Sequence, residues 1–487
     1  MPDQPRIPFE ASLTDLRSGL ESGAFTGTDL VQHFLERIAR LDAGKLDSVR
    51  QTNPAALEIA RTLDLERANG SSRGAGLGAL HGIPVLVKDN IDTADQLETT
   101  AGSLTMRGHR ARADAHLVTR LRAAGAVILG KTNMTEWANF TTTGMPNGYS
   151  SLGGQVKNPY GAFDVGGSSS GSGASIAANL APVAIGTETS GSILSPSVSN
   201  SLVGIKPTHG LVSRSGIIPI AASQDTAGPM ARCVADAALL LEVIAGVDER
   251  DAVTTRQPAP VRYTDFLDAD GLRGARLGVP RAYYWNFVTS EQRPVLEGAL
   301  TALRDGGATV VDDADIESAQ AVADLGYTVL LYEFRRDLDA YLRQGEPPYP
   351  QSLLEVIRLN EANFTTHLKY GQTLMLAAQT AAGTGSPYYL ETRANDLRLS
   401  TVDGGIDTTL ERHNLDALVL PMYWGAQIGA KAGYPTVTVP CGYGEDGRPV
   451  GLSLMGRAWE EAKLIRLAYA FEQLTRARRA PRLEDNA

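Results

Sequence analysis

Gly166 to Ser175 reads GGSSSGSGAS, and a little further on Gly186 to Ile193 reads GTETSGSI. From Asn147 to Gly210 the chain is rich in glycine and serine, and such a run inside a compact protein is either a linker or a functional loop. The linker reading fails here. Helix-like SIAANLAPVA (residues 175–184) and the packed-looking VAIGTE (residues 183–188) follow at once, with no charge-rich spacer between. The run is therefore read as a loop held on a scaffold, and the surrounding sequence says which scaffold.

Upstream, GIPVLVKDN (residues 82–90) is a short β-branched run that predicts a buried strand ending at Lys88, Asp89 and Asn90. A helical pattern over 115–124 leads into the apolar run 126–129, and further short apolar runs recur at 202–205 and 415–420. Helix and strand signals in alternation imply an α/β fold: a mixed central β-sheet covered by helices on both faces. Thr26 to Asp42 predicts an amphipathic helix, with Thr26 and Asp29 spaced as a capping box and Leu30, Val31, Phe34, Leu35, Ile38 and Leu41 in one stripe. Residues 251–423 change character to long charged helical patterns, such as 292–304 and 353–367, before strand-like YPTVTVPCG returns. The expected organisation is one domain: a helical region over about 1–70, a core over about 80–245, an insertion over about 251–423 capping one face, and a sheet-and-helix return over about 424–487. The last helix, 462–474, runs into RARRAPR, which is expected to be a solvated tail.

The chain has 487 residues, 43% hydrophobic and 21% charged, enough to bury a large core. A formal charge of −10 argues against a nucleic-acid partner, which would need a basic surface. Cys233 and Cys441 are the only cysteines, so neither a disulfide framework nor a zinc site is expected, and no ligand cluster calls for a metal or an organic cofactor. The N-terminal MPDQPRIPFEASLTDL lacks a basic patch followed by an apolar stretch, and no segment has the roughly 18 apolar residues that would span a bilayer. A cytoplasmic location without membrane partners is the expectation; the oligomeric state stays open, a homodimer included.

Two familiar motifs are decoys. GAVILGKT (residues 125–132) fits the phosphate-loop pattern, but Ala-Val-Ile-Leu is strand material and would have to expose its apolar side chains to cradle phosphate. GSSSG (residues 167–171) fits a nucleophile elbow centred on Ser169, yet the elbow needs a hydrophobic strand before it, and NPYGAFDVG is not one. Nothing singles out His209, His367 or His413 as its partner. What remains is a strand-terminal lysine in VKDN and two serine-bearing loops. A serine hydroxyl needs a base, and a lysine whose pKa is lowered by burial can serve. The chain holds eight lysines against 37 arginines, so a lysine in that place stands out.

These segments closely resemble the amidase signature family, whose members use a lysine, a bridging serine in a cis peptide and a nucleophilic serine. The likeness continues through GIKPTHGLVSRSGIIPIAASQDTAGPMARCVADAA and returns in GYPTVTVPCGYGEDGRPVGLSLMGRAWEE. The resemblance implies that Lys88 is the base, Ser168 the bridge and Ser192 the nucleophile. It also implies an oxyanion hole from the backbone of Thr189, Ser190, Gly191 and Ser192, with Ser190 standing where the family often has Gly or Asp. KTNMTEWANF, NGYSSLGGQVKNPYG and IGTETSGSI look most like the bacterial peptide-amidase-like branch. That branch implies hydrolysis of small-molecule or C-terminal peptide amides, with anilides or carbamates as alternatives. Trp137, Ala138 and Asn139, together with Tyr423 and Trp424, are the expected pocket walls. A glutaminase subunit of a tRNA-dependent amidotransferase shares the same three residues and is the competing assembly. An inactive binding protein is disfavoured because all three are present.

Overall fold

The computed structural model describes residues 7–70 and 78–483. The strands of its large sheet, in chain order, are β1 (Val49–Thr52), β2 (Pro84–Lys88), β3 (Val127–Thr132), β4 (Val183–Glu188), β5 (Val203–Lys206), β6 (Thr226–Ala231), β7 (Arg276–Val279), β8 (Thr309–Asp312), β9 (Ala417–Pro421), β10 (Thr436–Tyr443) and β11 (Pro449–Met455). They form one sheet in the order β1-β3-β2-β4-β6-β5-β10-β11-β9-β7-β8. The sheet is mixed. β3, β2 and β4 run parallel at one end, β9, β7 and β8 run parallel at the other, and antiparallel pairs join the two groups.

Strand side chains alternate between two apolar layers. Val85, Val87, Ile128, Val183 and Ile185 enter one cluster, while Leu86, Val127, Leu129 and Ala184 enter another on the opposite face. Both faces being covered, the strands read as continuous apolar runs rather than as alternating ones. The helix α1 (Gly27–Leu41) closes the second layer through Val31, Phe34 and Ile38, and its capping box forms as expected, Thr26 Oγ1 accepting from the Asp29 N–H.

The Gly/Ser run behaves differently from its expectation. The helix α2 occupies Ser170–Ala177, inside the run, and the chain then turns before β4, so SIAANLAPVA is not a single helix. Small residues permit this placement: a Cβ on Gly171 would come within 2.3 Å of the carbonyl oxygens of Asn133 and Ser48. Packing against β1–β3 thus outweighs the poor helix propensity of glycine and serine.

The segment 251–423 is not an insertion laid over one face. Its β7, β8 and β9 complete the far edge of the sheet. What caps the molecule is the helical part between them, chiefly α3 (Thr328–Leu342), α4 (Leu353–Ala362) and α5 (Thr373–Thr380), whose Val329, Phe334, Leu338, Val356 and Met375 pack onto Met106, Phe140 and Ile218 of the core. The charged surface positions along these helices dominate the pattern of the segment and mask the short strands RLGV and TVVD. RARRAPR is not a solvated tail either. Arg478 donates to both carboxylate oxygens of Glu10, at 2.6 and 2.7 Å, and the Arg479 guanidinium sits 4.0 Å from the centre of the Tyr443 ring. No helix of the described residues is long and apolar enough to cross a membrane.

Candidate active site

Lys88 is the last residue of β2, and strand parity sends its side chain to the face of Leu86, against which α2 packs. It is fully buried. Its Nζ lies 2.8 Å from Ser168 Oγ, 2.9 Å from Thr187 Oγ1 and 3.2 Å from the Thr187 carbonyl oxygen. All three partners are neutral oxygens. Burial pushes its pKa down to about 7, opposed by the more distant charges of Glu188 and Asp225. Three oxygen partners can take the three N–H groups of an ammonium or, with the Ser168 hydroxyl turned to donate, the two N–H groups and lone pair of a free amine.

Ser168 follows a cis peptide from Gly167 and is itself fully buried. The Ser169 N–H donates to the Ser192 carbonyl at 3.2 Å, bringing the two serine loops side by side. Ser192 sits in the turn that joins β4 to a short helix, Leu194–Ser199, and its neighbour Gly191 has φ +83°, a conformation glycine adopts without penalty. Two carboxylates grip this turn. Glu188 Oε2 accepts the N–H groups of Ile193, at 2.7 Å, and Leu194, at 3.0 Å. Asp225 Oδ1 accepts the Thr189 hydroxyl at 2.5 Å. Burial raises the pKa of both acids, Asp225 to about 7.

A cavity of about 610 Å³ opens beside these residues, reaching Asn90, Thr187, Thr189 and Asp225 at one end and Ile217, Pro219 and Tyr341 along its walls. Of the expected wall residues, Ala138 lines it. Trp137 does not: three successive left-handed residues, Trp137, Ala138 and Asn139 (φ 49°, 55° and 72°), turn the indole into the cluster beneath the capping helices and leave Asn139 exposed. Tyr423 stands at the mouth of the serine turn, its Cδ2 3.8 Å from where a Cβ on Gly191 would be. Trp424 packs on Tyr423 and Phe287 instead of on the cavity.

The decoys resolve on the same geometry. Lys131 of GAVILGKT is a fully buried strand residue that donates to the Ile91 carbonyl and to Thr99 Oγ1. Ser169 Oγ donates to the Thr187 carbonyl and accepts the Thr187 N–H, so it pins α2 to β4. His209 Nε2 meets the Ala222 carbonyl and Arg214, neither of them a serine hydroxyl. Glu188, Asp225, Asn90 and Thr187 escaped the sequence reading. Glu188 lies within the quoted GTETSGSI and could have been singled out as the one charge in an otherwise neutral loop; Asp225 carries no such signal.

Known proteins share this fold. A family model described as Amidase matches residues 29–431. The chain is 46% identical to the native peptide amidase of Stenotrophomonas maltophilia, with a TM-score of 0.92 over 98% of this chain and 99% of that one. It is 39% identical over 483 residues to a probable amidase of Arabidopsis thaliana, covering 97% of this chain and 91% of the relative. It is also 34% identical over 482 residues to a glutamyl-tRNA(Gln) amidotransferase subunit of Symbiobacterium thermophilum, covering 93% of this chain and 95% of that one. The fold is that of a hydrolase acting on carbon–nitrogen bonds. The chain belongs to the amidase family.

Proposed function

We propose that this amidase hydrolyses C-terminal peptide amides and comparable small primary amides through an acyl-enzyme on Ser192. The observation that carries the reading is the fully buried Lys88, with Nζ 2.8 Å from Ser168 Oγ and neutral oxygens as its hydrogen-bond partners. Ser192 Oγ attacks the amide carbonyl and passes its proton to Ser168, whose own proton moves to the Lys88 amine. Backbone N–H groups of residues 189–192 receive the developing oxyanion. Collapse expels the amine with a proton returned along the same path. Water then attacks the acyl-enzyme, again losing its proton toward Lys88, and frees the carboxylate and Ser192.

The substrate class rests on the likeness to the Stenotrophomonas peptide amidase and on the cavity, whose volume falls in the range of small-molecule sites and whose Ala138, Ile217 and Pro219 offer apolar contact to an acyl group. The similarity to an amidotransferase component favours a second reading, a glutaminase that works with protein partners. A panel assay separates them. The purified chain should release ammonia from N-acyl dipeptide amides faster than it turns over glutamine, anilides or carbamates, and Ser192→Ala should lose at least about 10³-fold in kcat. Glutamine hydrolysis that appears only on adding partner proteins would support the second reading, and an active Ser192→Ala enzyme would refute the acyl-enzyme.

A further inference from the structure

Asp225 stands at the place where the sheet hands over to the serine turn. The β4–β6 ladder pairs Gly186 with Gly228, Thr187 with Ala227 and Glu188 with Thr226. The next pair in register would be Thr189 and Asp225, and there the backbone ladder stops. Side chains continue it. Asp225 Oδ1 accepts the Thr189 hydroxyl at 2.5 Å, while Oδ2 accepts the N–H groups of Ile220, at 2.9 Å, and Ala221, at 3.0 Å. Three donors meet two acceptor oxygens. Asparagine keeps one oxygen for the two N–H groups but reverses the bond to Thr189, whose hydroxyl would have to turn and accept from the amide nitrogen.

The carboxylate is buried and forms no ion pair among the described residues, although Lys88 and Arg214 lie within electrostatic range and Asp337 of α3 adds a like charge. Keeping a lone buried carboxylate is costly unless its hydrogen bonds are needed. Its negative charge would not help a developing oxyanion, so its contribution is one of geometry. We infer that Asp225 is a positioning residue that fixes Thr189, and through it the N–H groups of residues 189–192, in the orientation that receives the oxyanion. Glu188 holds the far end of the same turn, and Asp225 holds the near end.

The inference rests on the proposed roles of Ser192 and the 189–192 backbone. Thr189→Val removes the hydroxyl at nearly constant volume, Thr189→Ser keeps it, and Asp225→Asn reverses the direction of the bond to Thr189 and removes the charge. With an N-acyl dipeptide amide as substrate, Thr189→Val and Asp225→Asn should each lower kcat about 10- to 100-fold with KM within about threefold, since the lost interaction matters in the transition state. Thr189→Ser should stay within about threefold of the parent. The double variant Thr189→Val/Asp225→Asn should be no worse than the poorer single one, because both act on the same hydrogen bond. A Thr189→Val enzyme with the parental kcat, a loss confined to KM, or multiplicative effects in the double variant would overturn it. Thr189→Val and Thr189→Ser decide the matter even should Asp225→Asn not fold. Ser192→Ala keeps the two readings apart. If it is inactive while Thr189→Val is normal, only the Asp225 inference falls; if it is active, the catalytic assignment falls first.

Discussion

The base role proposed for Lys88 requires a neutral amine, and an ordinary lysine, with a pKa near 10.4, is almost wholly protonated at neutral pH. Complete burial brings it down to about 7, so protonation at lower pH should switch the enzyme off and kcat should climb through an ionisation near that value. Lys88→Arg, permanently charged, should show neither the climb nor measurable turnover. Asp225 is itself pushed up to about 7 and faces the same site, which makes Asp225→Asn the necessary control. Its residual activity should keep the rising limb, displaced to lower pH because a neighbouring negative charge that favours the ammonium has gone. If the limb vanished in Asp225→Asn and survived in Lys88→Arg, the titrating base would be Asp225. At this scale the sequence was legible as to which segments meet. The lysine closing an apolar strand and the two serine loops do come together, Lys88 Nζ on Ser168 Oγ and the Ser169 N–H on the Ser192 carbonyl, whereas Trp137 and Trp424 are aromatic residues whose direction depends on backbone turns. The left-handed stretch 137–139 carries no glycine that would announce it.

Among the elements, the strands β2 and β3, the helix α1 and the helix over residues 293–305 all appear where apolar spacing placed them. These are segments in which local preference and burial agree. The helix α2 is the opposite case, a serine- and glycine-rich sequence made helical by its surroundings. Every residue from Ser170 to Ala177 is buried, and glycine lets the helix backbone approach the strand ends that carry Asn133 and Ser48. Gly171→Ala tests which effect governs. Helix propensity alone would make alanine about 1 kcal/mol better, but the added methyl would meet two backbone carbonyls that have no flexible end to move. We expect a net loss of about 1–3 kcal/mol in urea unfolding, with activity falling as well because α2 begins two residues after Ser168. A stabilised, fully active Gly171→Ala protein would mean that α2 has room for a methyl group above the strand ends. Short strands such as Arg276–Val279 were illegible for a related reason, since their few residues make no periodic pattern and only pairing with Thr309–Asp312 on one side and Ala417 and Leu418 on the other defines them.

The molecule as a whole is held together across its cavity by α3, whose residues tie the capping helices to the catalytic core. Glu333 and Asp337 accept the N–H groups of Ser223 and Ala222, and Tyr341 donates its hydroxyl to Asp92 Oδ1 at 2.7 Å. Asp92 lies four residues beyond Lys88 and also lines the cavity, so this hydrogen bond spans from the loop after β2 to the cap. Burial pushes the Asp92 pKa up to about 6, while the Tyr341 hydroxyl and the Lys131 charge pull it down. A carboxyl raised on folding contributes stability that is present below its unfolded pKa, near 3.9, and lost as pH rises through its folded value. Tyr341 limits that loss because its hydroxyl favours the ionised form. Tyr341→Phe should therefore cost little at pH 5, where Asp92 is largely protonated. At pH 8 it should cost about 1–3 kcal/mol, the penalty for leaving a buried charged acceptor unpaired. Unfolding midpoints of the parent and Tyr341→Phe, followed by circular dichroism at pH 5 and pH 8, supply the comparison. A difference between the two proteins that widens with pH is the expected result. The same difference at both pH values would mean that Asp92 does not ionise against Tyr341, and the cap would then be held by the Glu333 and Asp337 hydrogen bonds and by packing of Phe334 and Leu338.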